Sequence, residues 1–217
     1  HEWLAIDEHT GTLSGVPPAK AHVTVRVRVV EPTEPWNMAE AELELDTRFL
    51  FYREDFADCA AHGWTVNGDW QCGVPTSGPN GSPTQTNVLA TNLAGNYGAN
   101  VGWGTQTATT PPFSLAGASA PVAEILVWYH TETSWDGWNL KISTDGTNFT
   151  TVPSVTPAYT HTISSQSAWS GSRTSWSVIQ ADLSTWVGQT VQLRLDYFTD
   201  GSVFNPGVYV DSLTVVE

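Results

Sequence analysis

His22–Val30 reads HVTVRVRVV: Val23, Val25, Val27 and Val29 share one face, and Thr24, Arg26 and Arg28 share the other. Alternation from Val23 to Val29, seven residues, describes a strand with one side buried, because successive side chains of an extended chain point to opposite faces. Ala41–Asp46, AELELD, alternates in the same way. Working outward, further strands are predicted at Phe49–Phe56, Ala123–Thr131, Asn139–Ser143, Phe149–Val152, Trp176–Asp182, Thr190–Phe198 and Val208–Val216. Clusters of Gly, Pro, Asn and Asp separate them, as turns require. No segment sustains an apolar period of 3.6, so the chain is predicted to be all-β.

The composition limits what such a chain can do. Its 217 residues hold 22 acidic and 8 basic side chains, a formal net charge of −14, with 40% apolar residues and 11 Trp. Nucleic acid is excluded as a partner, since backbone binding needs clustered Lys and Arg. Anionic membrane surfaces are excluded on the same ground, and no apolar run is long enough for membrane insertion. The abundance of Thr, Ser, Gly, Asn and Trp points to a secreted or cell-surface location. The abrupt start at His1 reads as a segment cut from a larger chain.

Cys59 and Cys72 enclose AAHGWTVNGDWQ. With His62 as the one candidate nearby, they fall short of the four ligands of a structural zinc. A disulfide is expected, suited to an oxidising compartment, with two buried thiols as the alternative. A domain boundary is expected near residue 48, with the two strongly alternating strands before it and most aromatics and glycine-rich loops after it.

Two stretches resemble known families. Leu4–Gly15, LAIDEHTGTLSG, followed by Pro17 and the strand from His22, resembles the later part of immunoglobulin-like, cadherin-like repeats of bacterial surface proteins. Residues 49–217 resemble the MAM-like jelly roll attached to secreted metallopeptidases of the immune-inhibitor-A type and to some subtilases. The matching stretches are DFADCAAHGW and DWQCGVP within 55–75, VLATNLAGNY at 88–97 and DGWNLKISTDGTNF at 136–149. They continue with Trp176 followed by DLSTWVGQTVQLRLDYFTDG, and GVYVDSLTV at 207–215. The resemblance implies a jelly-roll β-sandwich (49–217) preceded by a partial Ig-like β-sandwich segment (1–48). It also implies a non-catalytic accessory or adhesion role within a multidomain exoenzyme, whose other domains would be its partners.

The resemblance further implies a structural calcium where the first and last jelly-roll strands meet. Asp55 and Asp211 are the expected side-chain ligands, Asp58 a third, and Asn92 or its neighbours a source of oxygen from the TNLAG segment. Clustered carboxylates repel until something neutralises them, and a hard cation does so. The alternative is that Asp211 accepts backbone hydrogen bonds while Asp55 and Asp58 are solvated or cap a turn. Thr144–Thr147 (TDGT) reads as a hairpin turn, and Asp136 before Gly137 as an Asx-type turn residue.

Most tryptophans, including Trp64, Trp70, Trp128 and Trp176, are expected in the core. Trp135, Trp138 and Trp169 stand in polar stretches, TETSWDGWNL and SQSAWSGSR. They either pack loops onto the sandwich or stack on sugar rings, which makes a polysaccharide the alternative partner, beside an extracellular protein. No catalytic residue is assigned: H-E-x-x-H and G-x-S-x-G are both absent.

Overall fold

The computed structural model describes residues 4–7, 9–15, 21–30, 33, 38–79 and 81–217. Glu8 and Pro17 of the first quoted motif lie outside them, as does His1. The described chain divides into two compact units, His1–Phe49 and Leu50–Glu217.

Among its described residues, the first unit forms two antiparallel strand pairs. β1 (Leu4–Ile6) pairs with β2 (Leu13–Gly15). Their turn forms because the Asp7 carboxylate accepts from the backbone N–H groups of His9 and Thr10, while Gly11 takes φ +72°, a conformation that suits a residue without Cβ. β3 (Ala21–Val30) pairs with β4 (Met38–Thr47) over ten rungs, from Ala21 opposite Thr47 to Val30 opposite Met38. This register places the polar faces of both strands together. Arg26 meets Glu42 at 2.5 Å, Arg28 meets Glu40 at 2.6 Å, and Thr24 Oγ1 donates to Glu44 at 3.0 Å.

The second unit is a jelly-roll β-sandwich. Its short strands are β5 (Leu50–Glu54), β6 (Thr65–Val66), β7 (Gln71–Gly73), β8 (Val88–Ala90), β9 (Thr107–Thr109) and β10 (Phe113–Ser114). β11 (Val122–His130), β12 (Gly137–Ser143), β13 (Thr150–Thr151), β14 (Val155–Thr156), β15 (His161–Ile163) and β16 (Gln166–Ala168) follow. β17 (Ser172–Asp182), β18 (Thr190–Phe198) and β19 (Gly207–Val216) complete the chain. One sheet runs β14-β17-β11-β19-β8-β7, with β5 also on β19. The other runs β13-β12-β18-β9-β6, with β10 also on β18. Alternate residues of both meet in one core: Ile125 and Val127 from β11, Leu140 and Ile142 from β12, Leu193 and Leu195 from β18. Thr144–Thr147 turns between β12 and β13, where Asp145 Oδ1 accepts from the N–H groups of Thr147 and Asn148.

Cys59 and Cys72 form a disulfide across a sequence separation of 13. It ties the chain after β5 to β7, which leads through β8 to β19. Reducing it is expected to cost about 3 kcal/mol, mainly by freeing the unfolded chain. Urea unfolding with and without a reductant measures this, and superimposable curves would refute it.

Candidate functional site

β19 has β11 along one edge, while its other edge is shared. Tyr209 and Val210 pair with β8, and Leu213–Val216 pair with β5. Asp211 falls in the gap between these two ladders. On the β11 side the register shifts at the same place, with Leu126 opposite Ser212 and Val127 opposite Val210. An extra residue of this kind bends a strand and re-aims a side chain, so a carboxylate leaves the apolar run GVYVDSLTV on its own course.

Asp211 is fully buried. Its Oδ2 accepts from Thr84 Oγ1 at 2.7 Å, its backbone carbonyl accepts from Gln85 Nε2 at 3.2 Å, and its Oδ1 has no hydrogen-bond partner. Burial raises its pKa, and the Asp55 carboxylate nearby raises it further. β5 runs antiparallel to this part of β19, with Glu54 opposite Leu213, which brings Asp55 to the junction. Phe56 then turns the chain with φ +56°, helped by its N–H donating to Glu54 Oε1. Asp55 itself is engaged, its Oδ2 with the Arg53 guanidinium at 3.2 Å and its Oδ1 with the Ala57 N–H at 3.2 Å, so the costly group is Asp211, a buried carboxylate with one unpartnered oxygen. A proton or a hard cation would relieve it.

The other expected ligands do not join this pair. Asp58 is exposed and caps a turn, its Oδ1 accepting from the Ala60 N–H at 2.9 Å. Asn92 uses its side chain within its own loop: Oδ1 accepts from the Ala94 N–H and Nδ2 donates to the Asn96 carbonyl. Its neighbour Thr91 bonds the Val208 carbonyl, which sets Asn92 about 13 Å along β19 from Asp211 at the rise of a strand. Asn87 lies nearer, and its Nδ2 holds the Ala57 carbonyl at 3.0 Å.

The three tryptophans separate clearly. Trp135 is 60% exposed, whereas Trp138 and Trp169 are buried. Their rings meet at 4.5 Å, and Trp138 also meets Tyr129 at 5.8 Å. Two backbone hydrogen bonds join residues 138 and 169, so neither indole has a face for a sugar. Trp64, Trp70 and Trp128 are buried and Trp176 partly so.

A second carboxylate group was not legible in the sequence. Glu132, Asp136 and Asp200 each bring an oxygen within 4.8 Å of the others. Asp136 is not the simple turn residue expected. Fully buried, it accepts from Tyr97 OH at 2.5 Å and from the Asp200 N–H at 2.8 Å, so it links three loops. Burial raises the pKa of Asp136 and of Glu132, with Asp200 adding to both shifts. Each therefore holds a proton more readily folded than unfolded, so stability falls as pH rises from the ordinary carboxylate range through the raised values. Glu132→Gln, which removes one of the three charges, is expected to raise the melting temperature at about pH 8 and to change it little at about pH 4. An equal shift at both would contradict this origin.

Sandwich and disulfide together define an all-β module. Residues 95–216, more than half of the chain, match the immune inhibitor A-like MAM domain, and the chain belongs to that family. Bacillopeptidase F of Bacillus subtilis (strain 168) is 25% identical over 167 residues, covering 76% of this chain and 10% of that protein. The pre-pro-metalloprotease PrtV of Vibrio cholerae serotype O1 (strain M66-2) is 52% identical over 46 residues, 21% of this chain and 5% of that protein. The chain thus spans a tenth or less of these relatives' length. Among solved structures, the CBM22-1 xylan-binding domain of Paenibacillus barcinonensis Xyn10C aligns with a TM-score of 0.47 at 12% identity. That alignment covers 77% of this chain and 94% of the other.

Proposed function

We propose that the chain is a non-catalytic accessory module of a larger secreted protein of the peptidase type, fixed at its β5–β19 junction by a structural calcium ion. Asp211 carries the calcium reading, because it is a fully buried carboxylate with one unpartnered oxygen at a gap in the strand ladder, with the Asp55 charge near enough to raise its pKa. Asp211 and Asp55 would hold the ion, with carbonyl oxygens and water filling the six to eight positions that calcium takes. Bound there, the ion would supply charge neutralisation between the first and last strands. Membership of the MAM family and the peptidase relatives support the accessory role, and the disulfide supports an oxidising location. The first unit is read as the later part of an Ig-like repeat that joins the module to the rest of its parent. A carbohydrate reading keeps Trp135 alone of the three tryptophans, as the one with an exposed ring.

Thermal unfolding tests the calcium. A ligand of the native state stabilises it, by about 2.7 kcal/mol at a hundredfold excess over Kd. Calcium is therefore expected to raise the melting temperature, EDTA to reverse the rise, and Asp211→Asn to abolish the response. A melting temperature indifferent to both reagents would remove the ion from the account. Turnover of peptide or glycoside substrates by the isolated chain would sink the non-catalytic reading.

A further inference from the structure

The sheet of β12, β18 and β9 turns one face to the core. Its other face is polar in three rows: Asn139, Asp196 and Thr107 in one, Lys141, Arg194 and Thr109 in the next, Ser143 and Gln192 in the third. A solvent face would normally leave such groups exposed, yet Asn139, Asp196, Lys141, Thr107, Thr109 and Ser143 are buried. A strap, residues 98–106, lies over the first row. Trp103 packs on Phe198 at 5.7 Å, and Lys141 Nζ sits 5.2 Å from a Trp103 ring centre. Gly104 N–H donates to both Asp196 oxygens, and Trp103 Nε1 donates to the Ile163 carbonyl at 3.1 Å. In the same row the fully buried Asn139 donates from Nδ2 to Gln166 Oε1 and the Ser167 carbonyl on β16, while its Oδ1 has no hydrogen-bond partner.

In the second and third rows Lys141, Thr109 and Ser143 are buried, and Arg194 and Gln192 are the members that reach solvent in part. The Arg194 guanidinium lies flat on Phe149 at 3.5 Å, and its Nε donates to Thr109 Oγ1 at 3.1 Å. No carboxylate among the described residues is in ion-pair contact with it. Gln192 Nε2 is engaged with the Thr110 carbonyl at 2.8 Å. Clefts lie at both ends of β18. One of about 360 Å³ runs beside Gly102, Phe198 and Thr199, and one of about 210 Å³ runs beside Ser143, Thr144 and Gln192.

We propose that this face, centred on Arg194, is a binding site for a sugar chain. A planar guanidinium fork held on an aromatic ring presents paired donors at the spacing of two adjacent hydroxyls. Gln192 Oε1 adds an acceptor, and the partly exposed Trp103 ring supplies an apolar face for a pyranose. The site deepens the carbohydrate reading while moving it away from Trp135, and it is independent of calcium. Phe149 is a positioning residue, acting through Arg194.

Native affinity electrophoresis tests it, with the whole chain run through gels cast with xylan, mixed-linkage β-glucan or polygalacturonate. Retardation by at least one polymer is expected. Arg194→Ala and Trp103→Ala should each weaken it roughly tenfold or more, the scale of a lost charge-assisted hydrogen bond. Phe149→Leu should weaken it less, and Trp135→Ala should leave it unchanged. Arg194→Lys guards against a folding defect, since it keeps the charge and loses the fork; it should unfold at the wild-type temperature yet bind as poorly as Arg194→Ala. Retardation lost in Trp135→Ala and kept in Arg194→Ala would overturn this site and leave the carbohydrate reading standing at the other loop. Retardation by none of the polymers would overturn both.

Discussion

Trp138→Ala is expected to destabilise the sandwich by about 3–5 kcal/mol, the cost of removing a fully buried indole whose surroundings relax only in part. The ring is among the largest side chains with no exposed surface, and it is packed by Trp169 and Tyr129. Its backbone partner Trp169 sits in turn at 4.3 Å from Tyr159, so the cavity would open at the centre of an aromatic stack. Trp135→Ala, at an exposed position in the same loop region, should stay within about 0.5 kcal/mol of the wild type. Urea denaturation of the two variants side by side makes the comparison. Equal effects would mean that Trp138 is not a core residue.

Lys141→Met should cost as much for a different reason. Lys141 Nζ contacts Asp196 Oδ2 at 2.5 Å, with the two side chains 7% and 0% exposed. Removing one member of a buried pair leaves the other charge uncompensated, a loss of about 3–5 kcal/mol. Gly104 N–H would remain the carboxylate's partner, too little to replace a cation. Adding Asp196→Asn should recover most of the loss, because the desolvated charge is then gone. Losses that simply add in the double variant would show that the two groups act independently.

The strand content was legible because extended segments advertise themselves by alternation, although the apolar face expected to be buried in β3 and β4 stays largely exposed at Val29 and Leu43. The disulfide was legible because two cysteines lay close in an otherwise cysteine-free chain. The sites were harder to read, for reasons of distance. Trp138 and Trp169 look exposed among Ser, Asp and Gly, yet each is buried by a partner 31 residues away in sequence. Asp136 looks like a turn former, but Tyr97 and Asp200 reach it from other loops. The pairing of Gly137 with Phe198 is what brings the loops before β12 and after β18 together, and no local pattern records it. The polar face around Arg194 was hidden by the same periodicity that revealed the strands, since alternate polar residues normally mean solvent. At Asp211 the visible signal was a charge inside an apolar run. The gap that aims it depends on where β8 stops and β5 begins.

Calorimetric titration of calcium into the metal-free chain tests the central claim most directly. One ion per chain is expected, with binding abolished by Asp211→Ala, weakened by Asp55→Asn, and untouched by Asn92→Ala, whose side chain belongs to another loop. No heat of binding, or binding that survives intact in Asp211→Ala, would contradict the account.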